Sequence, residues 1–463
     1  MDLERVIAAL APTDVVGRAP AEVRDLAFDV RTVRPGALFF CVPGSRADGH
    51  DFAPEAVERG AVALVVEHPV DAAVPQLVVP SSRAAMAVVA DEFFGRPTEE
   101  LEVVGVTGTN GKTTTAFLLH SILDAADRRP GLIGTVEARV GGVPRKLERT
   151  TPEAIDLQRL FREMLDAGDR SCAMEASSHA SELHRLDRMR FRALIFTNLT
   201  QDHLDFHGTM ERYYAAKRRL FGEAPAVVNV DDPWGRRLVQ ELGGAAVTFG
   251  LSPEAQVGPE ALAGIDLRLR GRFNVLNALG AAAAARLLGV DDAALRAGLE
   301  AVEGVPGRFE EVSEGQPFTV LVDYSHTPDS LDNALRAAGA LADGRLICVF
   351  GCGGDRDREK RPLMGRVATE LADLAIVTSD NPRSEDPGRI IAEVVAGATG
   401  EVVVEPDRRA AIELAVEAAE PGDVMLVAGK GHEQGQEIGE VVLPFDDREV
   451  AREALRKLAG ARA

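Results

Sequence analysis

The sequence is poor in cysteine, in net basic charge and in long apolar runs, and each shortage excludes a class of protein. Its four cysteines, Cys41, Cys172, Cys348 and Cys352, include no CxxC pair, so we expect buried free thiols, with Cys348 and Cys352 as metal ligands the alternative. Lys and Arg total 52 against 73 Asp and Glu, a net charge of −21, which argues against nucleic acid or an anionic membrane as a partner. No run of about 18 apolar residues and no signal-peptide pattern occur, so we expect a cytoplasmic protein without membrane insertion.

The length of 463 residues exceeds what one hydrophobic core supports, so several domains are expected. Apolar strand-like runs alternate with helical patterns, which is typical of α/β folds with parallel sheets. Loops rich in glycine and proline interrupt this alternation of strands and helices and predict three domains. These are a small α/β domain at 1–98, a central P-loop-type domain with a parallel doubly wound sheet at 99–306, and a Rossmann-like C-terminal domain at 307–463.

The stretch Val103–Thr115, VVGVTGTNGKTTT, indicates a phosphate-binding loop. An apolar strand runs into a glycine-rich turn, and Lys112 then opens an Ala- and Leu-rich helical segment. Converging backbone N–H groups, a helix N-terminus and a lysine suit phosphate oxygens, and a threonine hydroxyl can hold Mg²⁺. A strict Walker A sequence has glycine where Val106 stands. We predict nucleotide binding here, with an ordinary glycine-rich turn as the alternative.

Polar residues that directly follow predicted strands are candidates for the same site, because ligands of open parallel sheets sit at the carboxyl ends of strands. Glu175 and His203 each follow an apolar run, and with a threonine of the loop they offer ligands for Mg²⁺. Helix caps and ordinary loop residues are the alternative. Lys217 lies in a predicted helix, where a single lysine is usually a solvated surface charge.

Four strand ends in the C-terminal domain carry charges of both signs. They are 323–329, 351–357, 379–383 and 429–433. Arginine can bind a carboxylate through two hydrogen bonds, and Asp or Glu can bind an ammonium. This domain is therefore expected to bind a zwitterionic ligand.

The chain resembles the Mur ligases, the ATP-dependent amide-bond ligases of peptidoglycan precursor assembly, in motifs that run in order along nearly its whole length. The motifs are GTNGKTTT, MEASSHA, FTNLTQDHLDFHG, YYAAKRRLF, GRFNVLNA, VDYSHTPD, FGCGGDRD, SDNPRSEDP and AGKGHE. The resemblance implies that ATP phosphorylates the D-glutamate side-chain carboxylate of UDP-N-acetylmuramoyl-L-alanyl-D-glutamate, after which the amine of a diamino acid attacks the acyl phosphate. The DNPR form is similar to that of members that add meso-diaminopimelate rather than L-lysine. A monomer is expected.

The resemblance also implies roles for individual residues. Catalysis would depend on Lys112, Glu175, His203 and Lys217. ATP would be bound by Gly108, Thr109, Asn110, Gly111, Lys112, Thr113, Thr114, Asn277, Arg308 and Asp323. Mg²⁺ would be bound by Thr113, Glu175, His203 and Lys217, the last as an N-carbamate instead of a surface charge. The UDP-linked substrate would contact Arg31, Asp48, Gly49, His50, Thr150, Thr151, Ser177 and Arg185. The diaminopimelate would contact Arg356, Asp380, Asn381, Pro382, Arg383, Gly429 and Glu433, and Arg383 would pair with the second carboxylate that lysine lacks.

Three positions depart from the family pattern. Val30 replaces a serine that would contact the UDP substrate, the chain between Gly250 and Gly271 is shorter than usual, and Ser325 replaces an alanine without an expected consequence.

Three alternative functions remain: an L-lysine-adding homologue, a folylpolyglutamate-type ligase and a catalytically silent ATP-binding subunit. Domain closure is expected, because the residues for ATP and for the amino acid lie on separate domains.

Overall fold

The computed structural model describes residues 1–17, 21–44 and 47–462, and its strands form three sheets flanked by helices. The sheets have five, eight and six strands, and a two-stranded hairpin lies near the end of the chain. Within the described ranges, no helix is long and apolar enough to cross a membrane.

The first sheet belongs to the N-terminal domain. Its strands are β1 (Asp14–Val16), β2 (Asp25–Ala27), β3 (Ala37–Phe40), β4 (Ala61–Val66) and β5 (Gln76–Val78), and its helices are α1 (Leu3–Leu10), α2 (Ala53–Glu58) and α3 (Ser82–Phe93). The strand order is β1-β5-β4-β3-β2, with β2 to β5 parallel and β1 antiparallel to β5. Successive residues of β3 enter different cores, because Leu38 and Phe40 pack on one face while Phe39 packs on the other.

The eight-stranded sheet has the order β13-β12-β11-β6-β10-β7-β8-β9. Its strands are β6 (Glu102–Thr107), β7 (Pro130–Ile133), β8 (Ala138–Val140), β9 (Val143–Arg145), β10 (Ser171–Glu175), β11 (Phe191–Phe196), β12 (Ala226–Asn229) and β13 (Ala246–Phe249). The helices are α4 (Lys112–Ala125), α5 (Ala154–Ala167), α6 (Ser178–Glu182), α7 (Leu204–His207), α8 (Met210–Arg218), α9 (Pro233–Glu241), α10 (Arg272–Leu287) and α11 (Asp292–Glu300). β10 runs parallel to β6 and β7, while β7, β8 and β9 form an antiparallel edge.

The six-stranded sheet of the C-terminal domain has the order β14-β15-β19-β16-β17-β18, and it is parallel except for β14. Its strands are β14 (Glu310–Glu311), β15 (Thr319–Asp323), β16 (Leu346–Phe350), β17 (Leu374–Val377), β18 (Val403–Val404) and β19 (Val424–Ala428), and the hairpin is β20 (Gly435–Ile438) with β21 (Val441–Pro444). The helices are α12 (Pro328–Gly339), α13 (Lys360–Leu371), α14 (Pro387–Val395), α15 (Arg408–Ala418) and α16 (Asp447–Arg462).

The sequence LICVF of β16 is apolar throughout because helices cover both faces of this sheet. Leu346, Cys348 and Phe350 pack into the core that contains residues of α12, α13 and α14. Ile347 and Val349 pack into the opposite core with residues of α15 and α16. The polar residues that follow such a strand are thereby held at a fixed edge of the domain.

Contacts group the chain into two compact units. The first contains Met1–Thr107, Asp127–Leu194 and Ala216–Ala226, and the second contains Gly108–Ala126, Ile195–Ala215 and the chain from Val227 onward. The domain boundaries at 98/99 and 306/307 stay predictions.

Apolar runs of the sequence predict strands, and the runs Ala61–Val66 and Leu346–Phe350 coincide in full with β4 and β16. The run Glu401–Val404 also predicts a strand, but only Val403 and Val404 are extended in the sheet. The four cysteines are buried and free, as expected. Burial raises the pKa of Cys41, Cys348 and Cys352 to about 12, so these thiols are unreactive.

Candidate active site

The phosphate loop connects β6 to α4 and contains two glycines that the geometry requires. Gly108 has φ +148° and a Cβ there would lie 1.9 Å from Thr197 Oγ1. Gly111 has φ +84° and a Cβ there would lie 2.2 Å from Asn277 Oδ1. Val106 lies within β6 and is fully buried, which explains why no glycine is needed at that place. The loop with this glycine spacing therefore still connects a strand to a helix, as a phosphate-binding loop requires.

Lys112 and Thr113 open α4 and point into this loop region. The Lys112 amine donates to the carbonyls of Gly108 at 3.1 Å and Thr109 at 2.7 Å, so it folds back over the loop. The Thr113 hydroxyl accepts a hydrogen bond from Arg308 at 2.9 Å. Two predicted ATP residues that are far apart in sequence thus meet.

Asn277 and Asp323 fix the neighbouring segments. Asn277 borders Gly111 and its Nδ2 donates to Asn274 at 3.0 Å. Asp323 ends β15 and accepts the N–H of Phe309 at 2.7 Å, which holds the Arg308–Phe309 segment. The structure therefore brings the predicted ATP residues of this unit together.

Ser325 contacts Asp323, which the sequence did not indicate. Its N–H donates to Asp323 Oδ1 at 2.9 Å, and its hydroxyl donates to the same oxygen. The Ser330 carbonyl oxygen lies 3.1 Å from the same hydroxyl oxygen. An alanine here would leave Asp323 with one donor fewer.

The segment after β11 supports the phosphate loop from the side. Asn198 Oδ1 accepts the N–H of Asn110 at 2.9 Å, and Thr197 donates to the Asn110 carbonyl at 2.6 Å. The Asn110 amide in turn donates to Asp329 at 2.8 Å. Burial raises the pKa of Asp329, and the bonds from Asn110 and Thr200 oppose that shift. Asn198 and Asp329 stand in the quoted motifs but were not among the predicted site residues.

His203 stands beside a buried carboxylate. Its backbone is left-handed, with φ +54°, and its Nε2 lies 3.2 Å from Asp202 Oδ2. His326 Nε2 lies 3.7 Å from the same oxygen. Burial would raise the pKa of Asp202, but His203, His326 and Lys360 together hold it well below its usual value. Asp202 thus positions the predicted ligand His203.

Glu175 ends β10 with its side chain buried. It accepts the N–H of Thr135 at 2.7 Å and the Thr135 hydroxyl at 3.1 Å. That hydroxyl lies 2.9 Å from the hydroxyl of Thr150. Thr135 follows β7, which was not among the predicted strands, and this residue was therefore missed.

Three further residues predicted for the UDP-linked substrate surround the end of β10. Thr151 donates to the Glu175 carbonyl at 2.8 Å and accepts the N–H of Ser177 at 3.3 Å. Arg185 donates to the Thr151 carbonyl at 3.1 Å and forms an ion pair with buried Glu153 at 2.9 Å. Burial lowers the pKa of Arg185, and the charge of Glu153 opposes that shift.

Lys217 is buried, with only 1% of its surface exposed. The interpretation of this lysine as a solvated surface charge is therefore wrong. Spacing could not indicate this, because the burial arises from tertiary packing: the neighbouring Ala216 carbonyl accepts the Ser181 hydroxyl at 2.5 Å, which joins this end of α8 to α6.

The loops predicted for the uridine end lie in the N-terminal domain. Asp48 caps a 3₁₀ helix at Gly49–Phe52 by accepting the N–H of His50 at 3.0 Å. His50 Nδ1 lies 2.6 Å from Asp48, and its Nε2 accepts the N–H of Glu67 at 2.9 Å, so the proton resides on Nδ1. Arg31 is exposed and pairs with Asp29.

A connected polar cluster lies at the carboxyl ends of β17 and β19. The Lys430 amine is fully buried and donates to Asn381 Oδ1 at 2.8 Å and to Glu433 Oε2 at 3.0 Å. Asn381 Nδ2 donates to Glu433 Oε2 at 2.8 Å. A Cβ on Gly429 would lie 2.4 Å from Asp380 Oδ2, so these two predicted residues also adjoin. Lys430 was missed because its burial is a tertiary property.

Arg383 and Arg356 flank the loop after β16. Arg383 donates to the Gly354 carbonyl at 2.9 Å and pairs with Glu437 at 2.8 Å. Arg356 donates to the Asp355 carbonyl at 2.9 Å and lies on the exposed side. The Pro382 carbonyl is packed against Gly354, where a Cβ would approach within 1.9 Å. All seven residues predicted for the amino acid thus occupy one region of the C-terminal domain.

Among the described residues, no group of three or more His, Cys, Asp or Glu side chains could hold a metal ion. Cys348 and Cys352 are accordingly not assigned as metal ligands. The predicted Mg²⁺ set differs in kind, because it includes a threonine hydroxyl and a modified lysine.

Comparisons with known proteins identify the family of this chain. Models described as "Mur ligase family, catalytic domain", "Mur ligase middle domain" and "Mur ligase, glutamate ligase domain" match residues 22–94, 106–285 and 307–431. The UDP-N-acetylmuramoyl-L-alanyl-D-glutamate–2,6-diaminopimelate ligase of Geobacillus kaustophilus is 47% identical over 93% of this chain and 94% of its own. The chain belongs to the Mur ligase family.

Solved structures are also similar to this chain. A UDP-N-acetylmuramoyl-L-alanyl-D-glutamate–2,6-diaminopimelate ligase superposes with TM-score 0.67 and 30% identity, covering 99% of both chains. The MurF ligase of Thermotoga maritima in complex with ADP superposes with TM-score 0.63 over 95% of this chain and 99% of its own. At 21% identity, the second likeness supports the three-domain α/β fold alone.

Proposed function

We propose that this Mur ligase joins meso-diaminopimelate to UDP-N-acetylmuramoyl-L-alanyl-D-glutamate and converts ATP to ADP and phosphate. The observation that carries the proposal is that one region of the C-terminal domain holds a guanidinium, Arg383, and a carboxylate, Glu433, because the far end of diaminopimelate carries both a carboxylate and an ammonium. The relative from Geobacillus kaustophilus bears the name of this activity.

The first step transfers the γ-phosphoryl group of ATP to the side-chain carboxylate of the D-glutamate. The bond to the ADP oxygen breaks and a bond to the carboxylate oxygen forms. Lys112 would leave the loop carbonyls that it now contacts and neutralise charge on the transferring group. Arg308 and Asn277 would hold the nucleotide, and Asp323 would position the segment that carries Arg308.

Mg²⁺ would supply further neutralisation of the phosphates when it is bound. The proposed ligands are Thr113, Glu175, His203 and Lys217 as a carbamate. The donor set fits a hard cation, since it consists of oxygens and one imidazole. The burial of Lys217 supports a role inside the protein, because it separates this lysine from the solvated lysines of the surface.

In the second step, an amine of diaminopimelate attacks the acyl phosphate. The tetrahedral intermediate expels phosphate, the amine loses a proton, and the amide forms. Thr150, Thr151, Ser177 and Arg185 would orient the muramoyl dipeptide, while the loops near Arg31 and 48–50 would hold the uridine diphosphate. These tasks correspond to the predicted domains at 1–98, 99–306 and 307–463.

The test is phosphate release by the purified protein. Release should require the UDP-muramoyl dipeptide, ATP, Mg²⁺ and meso-diaminopimelate together. Equal or faster turnover with L-lysine would refute the specificity. Turnover with glutamate on a folate would instead indicate a folylpolyglutamate-type ligase, and no turnover with any amino acid would favour a silent subunit.

We also propose that the protein is a cytoplasmic monomer. Light scattering of the purified protein would test the oligomeric state, and fractionation of cells would test the localisation.

A further inference from the structure

Arg383 is already bound to a carboxylate of its own chain. Its Nε lies 2.8 Å from Oε2 of Glu437, which belongs to β20. The backbone fixes this arrangement, because the Arg383 N–H donates to the Glu437 carbonyl at 3.0 Å and the Gly439 N–H donates to the Arg383 carbonyl at 2.7 Å. The left-handed backbone of Arg383, with φ +53°, belongs to the same arrangement.

We propose that Glu437 tunes the specificity of the site: it is an internal carboxylate that occupies Arg383 until the distal carboxylate of the incoming diamino acid displaces it, and it thereby weakens the preference for diaminopimelate over lysine. This inference rests on the proposed function, in which Arg383 binds that distal carboxylate. The carboxylate of Glu437 and the carboxylate of the ligand present the same chemistry to one guanidinium, so they compete.

The solvent exposure of the pair permits this exchange. The Arg383 side chain is 21% exposed and the Glu437 side chain is 45% exposed, so both ends of the ion pair reach solvent. Exposed ion pairs of this kind contribute little stability. By contrast, the guanidinium of Arg361 in the same domain is fully buried and pairs with Glu385 and Glu393. Displacement of either partner would leave a buried positive charge with fewer partners, which is costly.

The competition affects the two diamino acids differently. Diaminopimelate loses affinity because its carboxylate must displace Glu437. L-Lysine has only an ammonium at that end, and with Glu437 in place this ammonium meets a neutralised Arg383. Removal of the Glu437 charge should therefore strengthen binding of diaminopimelate and leave lysine facing an unpaired cation.

The first experiment compares wild type with Glu437→Gln, which keeps the backbone hydrogen bonds and the side-chain size. The KM for diaminopimelate should fall about two- to fivefold, as expected for loss of an exposed ion pair. The kcat should stay within about twofold, and kcat/KM for L-lysine should not rise. Glu440→Gln, an exposed carboxylate in the turn of the same hairpin, is the matched control and should leave every constant unchanged.

A double-mutant cycle separates competition from a structural effect. In the Arg383→Ala background, Glu437→Gln should no longer change the KM for diaminopimelate, because the guanidinium is gone. An unchanged or raised KM in the single variant would overturn the inference, and so would an equal fall in the Arg383→Ala background. Diaminopimelate-dependent release of phosphate by the wild-type protein tests the proposed function separately. The absence of this release would overturn both the proposed function and the inference about Glu437.

Discussion

The fully buried ion pair between Arg408 and Asp447 should be the most costly charge pair of the C-terminal domain to break. Arg408 Nε donates to Asp447 Oδ1 at 2.8 Å and its terminal nitrogen donates to Oδ2 at 2.7 Å, with both side chains 0% exposed. The same guanidinium donates to the Ala428 carbonyl at 3.0 Å and reaches the Ser379 carbonyl at 3.5 Å. Burial would lower the pKa of Arg408, but the charge of Asp447 more than offsets this and raises it.

Asp447→Ala leaves this guanidinium buried with only carbonyl partners. Removal of one partner of a buried pair costs about 3–5 kcal/mol. Asp447 is also the first residue of α16, where a negative charge stabilises the helix by about 0.3–1 kcal/mol. We therefore expect a loss of about 4 kcal/mol.

Hydrogen–deuterium exchange of α15 and α16 measures this loss within the domain that carries the pair. Amides that exchange through unfolding should exchange roughly a hundredfold to several thousandfold faster in Asp447→Ala. The control is Glu453→Ala, because Glu453 lies on the same helix and pairs with Arg409, next to Arg408, at 59% and 47% exposure. Its cost should be about 0–1 kcal/mol. Equal acceleration in the two variants would refute the role of burial.

Three further substitutions test the remaining groups. Lys217→Ala should abolish phosphate release with or without added bicarbonate, and an active variant would rule out a required carbamate. The hydrogen bond from Arg361 lowers the pKa of Glu385 to about 2, so the stability from this carboxylate is complete above its ordinary value of 4.5 and is lost as the pH falls towards 2. Glu385→Gln should flatten that part of the melting temperature against pH, and an unchanged profile would contradict the assignment. Ser325→Ala should cost about 1 kcal/mol in thermal melting and leave the KM for ATP within about twofold, whereas a large rise in KM would give this serine a functional role.

The fold was predictable where strands are buried on both faces. The residues of β16 are apolar at every position because helices cover both faces of this strand. A continuous apolar run of this length can be recognised as a strand in the sequence. The hairpin β20–β21 was not predicted, since β21 is exposed at all four residues and carries no alternating pattern. Backbone hydrogen bonds from outside the hairpin help to order it, because Arg383 bonds to Glu437 and Gly439.

The candidate site was predictable where residues follow strands. Glu175 and Asp323 each end a strand of a parallel sheet, and the structure places their predicted neighbours beside them. Lys217, Lys430 and Glu437 could not be assigned from the residues alone, because burial or an ion-pair partner defines each of them. A single lysine or glutamate in the sequence predicts only a charged surface residue, and its role becomes clear only when its neighbours in the folded structure are known.

Three arginines that lie near the predicted amino-acid residues and pair with carboxylates differ in exposure. Arg408 and Arg361 are fully enclosed, and they hold the segments from which the predicted amino-acid residues project: Arg408 binds the carbonyls before Asp380 and Gly429, and Arg361 binds the Gly353 carbonyl. Arg383 is the partly exposed member. A ligand carboxylate can exchange with Glu437 at modest cost, but not with the partners of the other two arginines, whose guanidinium groups are fully buried. The rigid pairs therefore keep the loops in place while the exposed pair opens, so that selectivity for a second carboxylate depends on one replaceable contact.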